Sequence, residues 1–316
     1  MSVKERVHNS KMSISDQKND TRTRHSINTI ETLQSLAKSA PFDTLAAYVE
    51  SSYHQQDLNE KVIDDSVAGA INRRSITTLQ NNADCLNQII TGLHDRPPIC
   101  FTDYKEFEND SRYYEQIIYE LNKVPTRRNW HDFFNGLIWS QFPNTKQYFN
   151  TRHIEQIQIS GDAKKRTSVR DKLTHFDECG LVLFTNSFEV QAQLKEHEWT
   201  TLFVDNATKW HSSILPVIFG HALWEMLLDP FIGLTAKVTV IEVSNSIMTQ
   251  LAASKDKRCL YATCDSLLLE HICKNQLMEA QRPWLPLPLL GIPNWSPIEQ
   301  SDLFYSNKSY FMAKRK

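Results

Sequence analysis

Glycine is scarce in this chain, with eight residues in 316, and that shortage narrows the chemistry at once. Loops that cradle phosphate need glycine so that backbone amides can approach the ligand with no Cβ in the way. Neither GxGxxG nor GxxxxGK[ST] occurs, nor does a GxSxG elbow or an EF-hand loop. Rossmann and P-loop enzymes are therefore poor readings, and no nucleotide cofactor is expected. The six cysteines (Cys85, Cys100, Cys179, Cys259, Cys264 and Cys273) form no CxxC pair and no regular framework. Cys259, Cys264, His271 and Cys273 do give C-x4-C-x6-H-x-C, but the spacing is unlike a zinc knuckle and buried thiols explain it better. Charge of one sign is also lacking. A formal net charge of −2 and a pI of about 6.6 give no global attraction to nucleic acid or to anionic membrane. No apolar run approaches the ~20 residues that span a bilayer; the richest, Ile214 to Leu228, holds Pro216, His221 and Glu225. The first thirty residues lack the apolar core of a signal peptide. The expectation is a cytoplasmic protein with reduced thiols and no membrane partner.

What is present suffices for a globular core: 41% hydrophobic residues against 23% charged. The pattern predicts an α+β fold, mostly helical, as a single domain over 29–316 with a small sheet. Residues 1–28 read as a disordered polar tail and 51–75 as a surface insertion. Short helices are expected over Ile27–Lys38 and Ile76–Leu93, and Pro41–Val49 opens the folded part. A short strand is expected at Ile99–Phe101, and a helix or strand at Tyr113–Leu121. Leu173 to Thr185 reads as a β-hairpin turning on Asp-Glu-Cys-Gly. After it come a helix from a Ser187 cap to His197, a buried helix over Leu215–Leu228 and a strand over Leu234–Val243. A helix from Asn245 and another over Cys264–Met278 follow. The four prolines within 283–295 exclude a helix there and suggest an extended strap across the surface.

The stretch richest in chemistry is Val124 to Asn150. Pro125 forces an extended approach, Asn129 suits an N-cap, and Asp132 sits in the first turn, where a carboxylate favours the helix dipole. At 100° per residue, Trp130, Phe133, Phe134, Leu137 and Ile138 form one apolar arc, and His131, Asp132, Asn135 and Trp139 share the neighbouring one. Phe142-Pro143 closes this helix, and Asn144 is placed to cap the next.

Four segments together resemble one family. They are VPTRRNWHDFFNGLIWSQFPNTK, RDKLTHFDECG, FGHALWEMLLDPF with GLTAK after it, and PLPLLGIPNW followed by FY. Their order and spacing are similar to those of the bacterial domain-of-unknown-function family 3025, over roughly residues 95–311. The resemblance implies that these blocks belong to one domain. It implies no activity, because the family has none established.

Several constellations carry potential chemistry. His131 and Asp132, with Asn135 a turn later, offer a base and an orienting group, or metal ligands; capping and buried hydrogen bonding explain the same residues without function. His221 and Glu225 share a helix face at i and i+4, which suits a metal or a carboxylate-oriented imidazole, or merely a stabilising pair. Arg170 is a candidate clamp for a carboxylate or phosphate, with Asp171 beside it, and an internal salt bridge is the equal alternative. Asp177 and Glu178 could ligate a metal, but ordinary turn chemistry is favoured for them. Arg127, Arg128, Lys146, Arg152, Lys164, Lys165 and Arg166 would form a basic rim that suits a small anionic ligand.

The sequence therefore points to a hydrolase-like enzyme or an anion-binding protein, with a cleft between the 130–142 and 215–228 helices. His131, Asp132, His221 and Glu225 are its candidate catalytic residues. Asn135, Arg170, Asp171, Arg127 and Trp139 are the candidate ligand-binding residues. A divalent metal is the candidate cofactor, on His131, His221 and Glu225. One rival is a binding or scaffold protein in which the same residues form a buried network fixing helix packing. The other is nucleic-acid association through the basic tail and the 164–170 loop, against which the overall charge argues. A single active site requires His131 and His221 to meet at one pocket.

Overall fold

A computed structural model describes residues 40–42, 82–254 and 256–315. The expected tail, the 51–75 insertion, the Ile27–Lys38 helix and most of Pro41–Val49 lie outside the described residues. The architecture is α+β. α1 (Asn82–Leu93) is the described part of the helix expected from Ile76. β1 (Cys100–Asp103) pairs in parallel with β2 (Lys123–Thr126), and α2 (Tyr114–Leu121) makes the crossover between them.

α3 (Trp130–Gln141) begins as its sequence requires. The Asn129 side chain accepts from the Asp132 amide at 2.7 Å, satisfying one of the free amides of the first turn. Phe133, Phe134, Leu137, Ile138 and Trp139 are all buried, so α3 is a core helix. α4 (Pro143–Ser160) follows without a loop. Asn144 does not cap it. Phe142 holds the cap position and has no side chain able to accept, so the acceptor arrives from a distant helix: Asp265 of α9 (Lys257–Lys274). Its carboxylate takes the Asn144 and Thr145 amides, each at 2.9 Å, and the Thr145 hydroxyl at 2.6 Å.

The expected hairpin over 173–185 is absent. α5 (Ser168–Cys179) runs straight into β3 (Gly180–Thr185), so Asp177 and Glu178 occupy the last turn of a helix. Thr167 caps α5, and Val169, Leu173 and Phe176, spaced at i, i+4 and i+7, turn towards the core. β3 is buried at all six positions because it is a central strand, which explains its unbroken apolar run. After α6 (Glu189–Glu196), the expected 215–228 helix divides into β4 (Ile214–Ile218) and α7 (His221–Leu227). β5 (Thr235–Glu242) matches the strand expected there, and α8 (Asn245–Ala253) follows it. The proline-rich stretch contributes β6 (Leu285–Pro288), and it is not a surface strap: Leu287, Leu289, Leu290 and Ile292 are buried. The second sheet has the order β4-β3-β5-β6, with β3 and β5 parallel and both outer pairs antiparallel. Proline sits on both outer strands, Pro216 on β4 and Pro286 and Pro288 on β6. α10 (Asp302–Tyr305) brings Phe304 into the same core.

One close approach positions everything that follows. Between β4 and α7 the chain crosses the junction of α5 and β3, where the Phe219 and Gly220 amides both donate to the Gly180 carbonyl, at 3.0 and 2.8 Å. A Cβ on Gly220 would lie 2.5 Å from the Glu178 carbonyl oxygen and 2.7 Å from the Cys179 carbonyl carbon, with the Gly180 amide closer still. Only glycine fits such a backbone-on-backbone contact. The crossing seats the start of α7 directly against the end of α5. Phe219 anchors it from below, with ring centroids 5.1 Å from Phe176, 5.3 Å from Phe142 and 5.4 Å from Phe149.

Candidate metal centre

His221 is the first residue of α7, set by the Gly220 crossing, and is buried. His131 lies in the first turn of α3, fixed by the Asn129 cap. The two rings meet: their Nε2 atoms are 3.1 Å apart and the rings are edge to face. The carboxylate that joins them is Glu178, from the last turn of α5, with an oxygen 3.6 Å from His221 Nε2. One ligand atom from each of these three residues falls within 4.8 Å of the others, the one such His/Cys/Asp/Glu group among the described residues. A divalent ion about 2.0–2.1 Å from each donor would subtend about 100° between the imidazoles and about 120° between His221 and Glu178. Both angles lie near the tetrahedral value.

The far side of each ring also faces a carboxylate. His131 Nδ1 lies 2.9 Å from Glu225, one turn into α7, and donates to it. That tautomer leaves the His131 Nε2 lone pair pointing at His221. Asp177 stands 3.9 Å from His221 Nδ1, a buried nitrogen with no hydrogen-bond partner. Imidazole ligands of metals are commonly oriented in this way, by carboxylates on the opposite nitrogen. Burial opposes charge on His131, but the Glu225 hydrogen bond and the Glu178 and Asp132 charges outweigh it and hold its pKa above the ordinary imidazole value. For His221, burial and the charges of His131 and Lys146 push the pKa well below that value. Burial raises the Glu178 carboxyl despite the neighbouring His131.

The three donors line one wall of a cavity of about 350 Å³. Asn135 and Trp139, expected as ligand contacts, line it too. The buried Lys146 ammonium donates to Asp177 at 2.5 Å and to Asn135 Oδ1 at 2.9 Å, and lies over the Trp139 ring. The Asn135 amide donates in turn to the Tyr114 hydroxyl at 2.8 Å.

Other expected residues are placed differently. Asp132 reaches the cavity, but its carboxylate accepts from the Arg127 backbone amide and forms a two-pronged ion pair with the Arg127 guanidinium. The pair ties β2 to α3 and explains both residues structurally. Arg170 does not line the cavity. It is buried and donates to the carbonyls of Ala163 and Lys165, bracing the 161–167 loop. Asp171 pairs with Arg166 at 3.0 Å and not with Arg170. Glu225, expected as a metal ligand, holds the Nδ1 side of His131, away from the point where the donors converge. Glu178 stands with the two imidazoles instead; the sequence offers it as a possible metal ligand, but the expected turn favours an ordinary role for it. The correct signal was the helical spacing of Val169, Leu173 and Phe176, which puts Asp177 and Glu178 at a helix end.

A family model described as "Protein of unknown function (DUF3025)" matches residues 99–315. No curated protein and no solved structure matches the chain. Among the described residues no helix is long and apolar enough to cross a membrane.

Proposed function

The chain belongs to the DUF3025 family, which carries no activity with it, and from the geometry we propose a metal-dependent hydrolase acting on a small anionic substrate. The observation that supports this most is the convergence of His131 Nε2, His221 Nε2 and a Glu178 oxygen from three separate elements at a cavity wall. Two histidines and a glutamate with a fourth position open form a donor set suited to catalytic zinc. When bound, the ion lowers the pKa of a coordinated water and polarises the bond to be cleaved. Glu225 holds the His131 ring in the ligating tautomer, and Asp177 faces the Nδ1 side of His221. Lys146, buried and fixed by Asp177 and Asn135, supplies positive charge where an oxyanion develops.

A second reading rests on the same 3.1 Å distance, which also fits an N–H···N hydrogen bond. Glu225, His131 and His221 are then a structural relay that locks α3 to α7. Zinc titration of the full chain, followed by calorimetry and thermal unfolding, separates the two. The metal reading expects one zinc per chain, lost in His221→Ala and in Glu178→Gln, together with ester or phosphoester hydrolysis that requires zinc. A chain that takes up no zinc yet unfolds at lower temperature in His221→Ala supports the relay.

A further inference from the structure

The cavity has a second polar end that the metal centre does not use. α4 presents Lys146, Phe149, Asn150 and His153 to it, spaced at i, i+3, i+4 and i+7 along one helix face. Lys146 belongs to the metal end, and Asn150 is committed to the Glu115 carbonyl at 2.8 Å. His153 has no such commitment. It is 9% exposed, and its Nδ1 is buried with no hydrogen-bond partner. Burial, together with the Arg170, Arg166 and Lys146 charges, keeps the ring neutral, with a pKa near 4. An unsatisfied buried ring nitrogen is destabilising unless something meets it.

The charge balance of the cavity is uneven in the same place. Three cations line it, and two have their counter-ions in its wall: Arg127 with Asp132, and Lys146 with Asp177. Arg166 is held by Asp171 and by the Thr174 hydroxyl, each at 3.0 Å, and Asp171 is not a lining residue. The end formed by Arg166, Thr174 and His153 therefore carries a cation whose own counter-ion lies outside the wall, and the lining carboxylate that acts on His153, Asp177, is already paired with Lys146. Seven residues of α4 separate His153 from Lys146, a rise of about 10 Å.

We propose that Arg166 and His153 form a subsite for a second anionic group on the substrate, about 10 Å along α4 from Lys146 at the metal end. The substrate class is then a small, elongated dianion, anchored at one end and attacked at the other. Arg166 supplies charge and the Nη1 donors left over from its bonds to Asp171 and Thr174; His153 lines the same end as a neutral imidazole with one ring nitrogen unmet. This inference rests on the proposed metal centre, and its test separates the two. The full chain, with and without zinc, is titrated calorimetrically with acetate and with linear dicarboxylates from malonate to suberate.

In the zinc-loaded protein, affinity should rise at least tenfold over acetate once the dicarboxylate is long enough to reach both ends. Arg166→Ala and His153→Phe should each remove that gain while leaving zinc and acetate binding unchanged. Dicarboxylates that bind no better than acetate at any length overturn the subsite and leave the metal centre standing. A length preference that survives both substitutions overturns it as well. If zinc does not bind but the longer dicarboxylates do, and Arg166→Ala abolishes this, the subsite stands and the metal centre falls.

Discussion

Gly220→Ala gives the sharpest test of how the site is built. The added methyl would lie 2.5 Å from the Glu178 carbonyl oxygen and 2.7 Å from the Cys179 carbonyl carbon, where an ordinary contact needs about 3.4 Å or more. Its neighbours are backbone atoms of a helix end and a central strand, so neither can rotate away. The crossing must open by roughly 0.5–1 Å, which loosens the two amide bonds to Gly180 and carries His221 away from Glu178. Overpacking of this kind costs about 1–3 kcal/mol, a fall in Tm of roughly 2–5 °C for a chain of this size. A donor set spread by that distance should lose about 10–100-fold in zinc affinity. Gly136→Ala is the control, because its methyl would meet only Leu86 side-chain carbons, which can turn aside. Differential scanning calorimetry and zinc titration on both variants make the comparison. If Gly220→Ala keeps the wild-type Tm and zinc affinity, the crossing does not set the site and the argument fails.

Other outcomes follow from named contacts. Glu225→Gln should weaken zinc binding about 10–100-fold with little change in stability, because it leaves the three donors in place but weakens the orienting bond to His131; an unchanged Kd would show that Glu225 has no orienting role. Zinc affinity should fall as pH drops through the raised pKa of His131, since the ring must be neutral to ligate, and protons should be released on binding; equal affinity at about pH 8 and about pH 6 would contradict this. His153 stays neutral to about pH 4 when folded but protonates near 6.5 when unfolded, so the unfolded chain binds the extra proton between these values. Stability should therefore fall with acidification across that window, by up to about 3 kcal/mol from this residue. Denaturant melts of wild type and His153→Gln should converge towards the acid end, and parallel pH profiles would refute the assignment. Asp265→Ala strips the α4 start of its three hydrogen bonds and should cost about 2–4 kcal/mol; a Tm within a degree of wild type would refute its capping role.

Local signals in the sequence were legible where local forces decide the structure. The Asn129 cap, the extended run at Pro125, the β5 strand and the apolar arc of α3 are matters of a few neighbouring residues, and the structure has them. His131 and Glu225 were recognisable as chemistry-bearing, and His131 does meet His221. Glu178 is legible in the sequence as a possible metal ligand but ranks below an ordinary turn residue, because the helix that carries it reads locally as a hairpin. Leu173, Thr174 and Phe176 have strand propensity, and only packing against Phe219 and Trp284 shows why they wind into a helix. Arg170 and Asp171 looked like an anion clamp by type, but the long arginine satisfies carbonyls of its own loop. Asn144 failed as a cap for a similar reason: the acceptor comes from a residue about 120 positions later, which no local pattern reveals.

The prolines of the outer strands have a further consequence for how this protein meets copies of itself. On β6 the Leu289 amide points inward to the Leu234 carbonyl, so the nitrogens of Pro286 and Pro288, of opposite parity, face outward. On β4 the Phe219 amide points inward to Gly180, and by the same parity the Pro216 nitrogen faces outward. At all three places an incoming strand would look for an N–H and find a ring carbon. The sheet is thus closed to lengthening at both margins, a protection against edge-to-edge aggregation that its short, apolar strands would otherwise invite. Self-association of the described region by pairing at these two strand edges is thereby disfavoured.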